Sequence, residues 1–91
     1  KVGTRIETCC GDASLLQRNT YDVILANINR NILLQDIPTY SLCIRKGGLL
    51  FVSGFYVEDM PMIIGMAQNS GLTYVSHDSI DNWCCIKFRK Q

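Results

Sequence analysis

No stretch of these 91 residues is long and apolar enough to cross a bilayer. The apolar runs are short and interrupted, well below the ~20 residues a spanning helix needs, and the first residues do not resemble a secretory signal. A soluble protein is expected. An excess of one charge is missing too: nine basic residues face eight acidic ones, with no basic block, so the electrostatic footprint of a direct nucleic-acid binder is absent. Cysteine spacing of the C-x-x-C type is also lacking. The five cysteines fall as Cys9-Cys10, Cys43 and Cys84-Cys85, which argues against a disulfide framework and against a zinc site. No metal is expected, and free thiols fit a reducing cytoplasm. The single histidine, His77, has no carboxylate or cysteine at ligand spacing and reads as a surface residue.

What is present is apolar density and order. Forty-seven per cent of the residues are apolar, enough for one small domain with a dense core. Residues 4–10 read as a strand ended by Gly11-Asp12, and residues 14–17 as a short helical turn. Residues 21–26 (Tyr-Asp-Val-Ile-Leu-Ala) form a nearly continuous apolar run of strand length, the mark of a strand covered on both faces in a parallel sheet. Leu33, Ile37, Tyr40 and Ile44 then recur at steps of four, three and four, one stripe of an amphipathic helix. Pro38 inside that helix predicts a kink or an irregular turn.

Gly47-Gly48 is expected to end the helix and release a second buried strand, 49–53. Glu58 and Asp59 suit the positive end of a second helix, Pro61 is tolerated in its first turn, and Met60, Ile63, Ile64 and Ala67 supply its inward stripe. Met62 and Met66 join Met60 as core filler. Gly71 is the expected C-terminal cap. Residues 72–79 and 83–88 read as two strands joined by a tight turn at Asp81-Asn82. In the strands, one member of each cysteine pair should face a helix layer, and Trp83 should pack across the sheet edge. Strands alternating with helices indicate an α/β fold with a largely parallel sheet, closed by an antiparallel hairpin.

Three local features resemble the class I methyltransferase domain: the Gly11-Asp12-Ala13 turn after a strand, the Arg45-Lys46-Gly47-Gly48-Leu49 turn before another, and the terminal hairpin. Within that class the chain resembles the family that methylates the large-subunit ribosomal protein L-eleven. The residues that carry this are Tyr21-Asp22-Val23-Ile24-Leu25-Ala26-Asn27-Ile28, Ser53-Gly54, Asp81-Asn82-Trp83-Cys84 and the basic tail Arg89-Lys90. The resemblance implies strands 3 to 7 of a Rossmann-like sheet, mostly parallel, with helices on both faces. It implies S-adenosylmethionine as cofactor and amino groups of a ribosomal protein, lysine or N-terminal, as substrate. It also implies that residues 1–91 are the C-terminal part of one catalytic domain. The Gly-rich cofactor turn, the acidic residue for the ribose and a separate substrate-docking domain would then lie upstream, and the isolated chain is expected to be inactive.

By the same resemblance Asn27 contacts the cofactor near its methionine part, Asp12 approaches the adenine, and Asn27 with Ile28 faces the substrate. Chemistry supports Asn27: a side chain at the carboxyl end of a parallel strand faces the ligand crevice, and an amide offers one acceptor and two donors there. The competing role for Asn27 is to cap the following helix, a task that Asn29 or Asn31 could also perform. Asp12 could equally be an ordinary turn residue. Alternatives for the whole are a small-molecule or nucleic-acid methyltransferase of the same fold, or a non-catalytic α/β interaction domain. In the family's strand order, 3-2-1-4-5-7-6, strands 1 and 2 would be absent. The strand at 21–26 would then have an open edge, to be filled by self-association or by residues 4–10.

Overall fold

The computed structural model of the chain describes residues 5–9, 16–18 and 20–91. Its elements run β1 (Ile6–Cys9), β2 (Tyr21–Asn27), α1 (Arg30–Cys43), β3 (Ile44–Tyr56), a 3-10 turn (Val57–Asp59), α2 (Met60–Asn69), β4 (Leu72–Ile80) and β5 (Trp83–Lys90). They form one five-stranded sheet in the order β1-β2-β3-β5-β4. The β1-β2 and β2-β3 pairs are parallel, while β5 runs antiparallel to both β3 and β4. The α/β class, the parallel core and the closing hairpin expected from the sequence are all present.

The residues explain each element. In β2 and β3 the buried side chains Ile24, Ala26, Leu50 and Val52 alternate with less buried ones, as a strand with a two-residue period requires. The register sets Ile24 beside Leu50 and Ala26 beside Val52, and Leu50 and Val52 lie beside Phe88 and Ile86 of β5. One continuous apolar face results. Leu33, Ile37 and Tyr40 of α1 and Ile63 and Ala67 of α2 are fully buried in the same core. The two helices are pinned together by the Ser41 hydroxyl, which donates to the Ser70 carbonyl at 2.6 Å.

Both described helices therefore lie on one face, whereas helices on both faces were expected. The opposite face carries Val23, Leu25, Leu49 and Phe51, and Leu25 stays exposed. The continuous apolar run of β2 reads as two-sided burial, but among the described residues only one side is covered.

Four local expectations are corrected. Ile44 belongs to β3 and not to the helix stripe: its backbone is extended (φ −84°, ψ 135°) and it pairs with Tyr21, so sheet pairing overrides the helical spacing. Gly47-Gly48 does not end the helix, which stops at Cys43 and passes directly into β3; residues 45–48 bulge opposite Asp22, and the regular ladder starts with Leu49 beside Val23. The helix also continues through Pro38, which sits on its exposed side, with no irregular turn interrupting it; the bond its missing N–H would have made is forfeited. Met62 is half exposed and Met60 and Met66 are partly buried, because 62 falls on the outer face of α2.

The Gly11-Asp12 turn, the first half of the short helical turn expected at 14–17 and the facing of the Cys9-Cys10 pair lie outside the described residues, while other expectations hold. Gly71 ends the second helix with φ +88°. Cys84 faces the core and Cys85 does not. His77 is exposed and shares a 2.6 Å hydrogen bond with the Tyr74 hydroxyl. Of the two ways to fill the open edge of β2, the structure has β1 doing so, with Ile6 beside Val23 and Cys9 beside Ala26.

Candidate functional site at the carboxyl edge

The parallel pairing of β2 with β3 ends at Asn27 beside Ser53. Ligands of open α/β sheets bind outside this carboxyl edge. The turn between β4 and β5 arrives at the same edge, so the hairpin tip borders the crevice.

Asn27 is exposed there. The capping role falls to its neighbour: the Asn29 side chain accepts from the Ile32 N–H at 3.1 Å, with Asn29 in extended backbone (φ −66°, ψ 160°). The Asn27 amide is thus not consumed as a helix cap. Ile28 is tied down by its N–H, which donates to the Ser53 carbonyl at 3.0 Å, and its side chain packs on the core. Gly54 lets these segments meet. Its φ is +99°, and a Cβ there would come within 2.6 Å of the Ile28 carbonyl oxygen, so any side chain would push the Asn27-Ile28 turn away. Asp12, the other expected cofactor contact, lies outside the described residues.

Two cavities flank this point. One of about 370 Å³ is lined by Asn29, Arg30, Asn31, Gly54, Phe55, Tyr56, Glu58 and Asp59. Arg30 spans it to Asp59 in a 3.1 Å ion pair, and the second oxygen of Asp59 accepts from the Tyr56 N–H at 3.2 Å. The second, about 120 Å³, is a slot lined by Ser53, Asp78, Ser79, Ile80, Trp83, Cys84 and Cys85. Its outer wall is fixed in place. The Val57 N–H donates to the Asn82 carbonyl at 3.1 Å, the Asn82 amide donates to Glu58 at 3.0 Å, and the Trp83 ring meets Tyr56 edge-on at 5.5 Å.

Across the open face the register draws one polar row over four strands: Asn27, Ser53, Cys85 and Asp78. Asp78 and Tyr56 were not singled out from the sequence, and Ser53 entered only as part of the family resemblance, with no role in the site. The link from Asp78 to Cys85 could have been counted outward from the two-residue turn, with 80 opposite 83 and 78 opposite 85; the link onward to Ser53 could not, because a bulge between Ser53 and Phe55 shifts the register. The thiols in and near the row are held protonated. Burial, then the Asp78 charge, then Cys84 raise the Cys85 pKa above its ordinary value. Burial and then Glu58 do the same for Cys84. Among the described residues no group of His, Cys, Asp and Glu could hold a metal ion, and no helix is long and apolar enough to cross a membrane.

The family profile described as ribosomal protein L11 methyltransferase (PrmA) matches residues 2–91. The chain belongs to that family. It is 49% identical over 79 residues to the ribosomal protein L11 methyltransferase of Phocaeicola vulgatus, covering 86% of this chain and 28% of the relative. Against the Bacteroides fragilis enzyme of the same name it is 48% identical over 86 residues, covering 93% and 31%. Among solved structures, the ribosomal protein L11 methylase of Lactobacillus delbrueckii subsp. bulgaricus superposes with a TM-score of 0.73 at 25% identity, over 79% of this chain and 38% of that one. A Thermus thermophilus 16S rRNA methyltransferase, solved with AdoMet and guanosine, shares the fold alone: TM-score 0.65, 10% identity, 87% and 22% covered. The L11 methyltransferase family and the S-adenosylmethionine-dependent methyltransferase fold are thus established. The chain spans under a third of the length of those two L11 methyltransferases.

Proposed function

We propose that the chain is the C-terminal part of a catalytic domain that transfers a methyl group from S-adenosylmethionine to amino groups, lysine or N-terminal, of ribosomal protein L11. The observation that carries this is Asn27: it ends a parallel strand at the carboxyl edge, exposed, while Asn29 performs the capping. The cofactor, when bound, supplies a methyl group on a positively charged sulfur. Asn27 fits its methionine end, where an amide oxygen and two N–H donors face the crevice, and family resemblance adds Asp12 at the adenine.

The work assigned to this chain is positional. The Asn27 carbonyl oxygen accepts a hydrogen bond from the substrate amine and aims its lone pair along the line of transfer. The amine arrives neutral, its proton having left to solvent as the crevice desolvates it. The Ile28 backbone, held by the Ser53 carbonyl while its side chain packs on the core, borders the crevice beside it. The remaining cofactor contacts belong to the upstream part that the longer relatives possess, so the isolated chain is proposed to be inactive. The free thiols Cys43, Cys84 and Cys85 suit the cytoplasm, where ribosomal proteins are modified.

The test is methyl transfer to purified L11 by the protein at the full length of its relatives and by residues 1–91 alone. Transfer is expected only from the former. A long form that leaves L11 unmodified, or a short one that modifies it, contradicts the reading.

A further inference from the structure

We propose that the slot between β4 and β5 is a subsite for a second basic side chain of the polypeptide substrate, a lysine or arginine near the residue being methylated. This rests on the amino-group methyltransferase reading above. The slot holds about 120 Å³, room for one side chain and too little for a folded segment. Its walls are of two kinds. Ile80 is 78% exposed and Trp83 48% exposed, large apolar surfaces left open to solvent. Asp78 supplies a carboxylate that has no ion pair among the described residues.

An aromatic face, an aliphatic wall and a carboxylate together match a charged nitrogen on an aliphatic stem, which buries its methylenes and keeps its charge beside an anion. Lys87 lines a neighbouring pocket with Asp78 but forms no ion pair with it; its ammonium lies 5.8 Å from the centre of the Phe51 ring. Asp81 in the hairpin turn, and Glu58, which accepts from the Asn82 amide of that turn and whose charge acts on Cys84, add to the negative field around the slot. An anionic partner such as a nucleic acid is disfavoured at this end.

Position links the slot to the reaction. Asp78, Cys85, Ser53 and Asn27 form one row on adjacent strands. With strands about 4.8 Å apart, the slot lies about 10–14 Å from Asn27. An extended polypeptide covers that distance in about three or four residues. The subsite therefore reads a cationic residue three or four positions from the acceptor.

The experiment uses the full-length enzyme and synthetic peptides with one acceptor lysine and, three or four residues away, lysine, alanine or glutamate. For the wild type, replacing the second lysine by alanine is expected to raise KM about five- to tenfold with kcat unchanged, the scale of an exposed ion pair plus a cation over an aromatic ring. Asp78→Asn should raise KM for the lysine peptide alike and leave the alanine peptide unaffected. Asp78→Lys should come to prefer glutamate. Peptide binding titrated without methyl donor should follow the same order, a readout that lost catalysis does not move. An Asp78→Asn effect equal for all peptides, or none, overturns the subsite while transfer abolished by Asn27→Ala leaves the functional reading standing. No transfer by the wild type to any peptide or to L11 overturns both.

Discussion

At the scale of single residues, Asn29 performs the helix capping that either asparagine could provide by chemistry alone, and Asn27 is left for the proposed site. Asn29→Ala removes the acceptor of the Ile32 N–H and should cost about 1 kcal/mol of stability in a urea titration; Asn27→Ala should cost almost nothing there. Gly54→Ala places a methyl 2.6 Å from the Ile28 carbonyl oxygen at φ +99° and should destabilise by about 1–3 kcal/mol, displacing the Asn27-Ile28 turn as it does so. The thiols give a pH dependence with a definite sign. Cys43, Cys84 and Cys85 have raised pKa values, burial being the first cause in each. The unfolded chain therefore releases these protons at lower pH than the folded one. Their contribution is whole below the ordinary thiol pKa and is lost as pH rises through the raised values. Alkylation of Cys85 should likewise show a midpoint above that of a free thiol, moving down in Asp78→Asn as one of its three causes is removed. A midpoint at or below the free-thiol value, or one that ignores Asp78, contradicts this.

At the scale of elements, the positions of strands and helices were legible because periodicity reports burial. The steps 33, 37, 40 locate the face of α1, and Asp81-Asn82 locates the hairpin to the residue. What was not legible depended on partners distant in sequence. Ile44 continues the helical spacing yet joins β3, since pairing with Tyr21 is a tertiary fact. The apolar run of β2 announces two covered faces without naming the cover. Phe51 and Leu25 on the open face give a test of what that cover is. If upstream helices lie there in the long protein, Phe51→Glu should destabilise it by at least about 2 kcal/mol, the loss of a buried aromatic. In residues 1–91 alone the same change should be nearly neutral. Equal effects in both, measured by thermal unfolding, would mean the face is never covered.

At the scale of the whole molecule, β1 occupies the place beside β2 where the family order puts strand 1, so among the described residues the open edge has moved outward to β1, with Ile6 exposed. Self-association of residues 1–91 is expected along that edge, and Ile6→Lys should shift its sedimentation toward monomer. The candidate site was half legible in the sequence. Asn27 could be found because a polar residue closing an apolar strand stands out, whereas the row to Asp78 exists only once four strands are in register. The proposed reaction requires Asn27 to face the crevice and not the helix. The most direct measurement compares methyl transfer to L11 by full-length wild type, Asn27→Ala and Asn29→Ala, each with its melting temperature. The expected result is a loss of about 10²-fold in kcat for Asn27→Ala at unchanged melting temperature, the scale of a misplaced reacting group, and near-normal turnover with lowered melting temperature for Asn29→Ala. Unchanged turnover in Asn27→Ala would contradict the central claim.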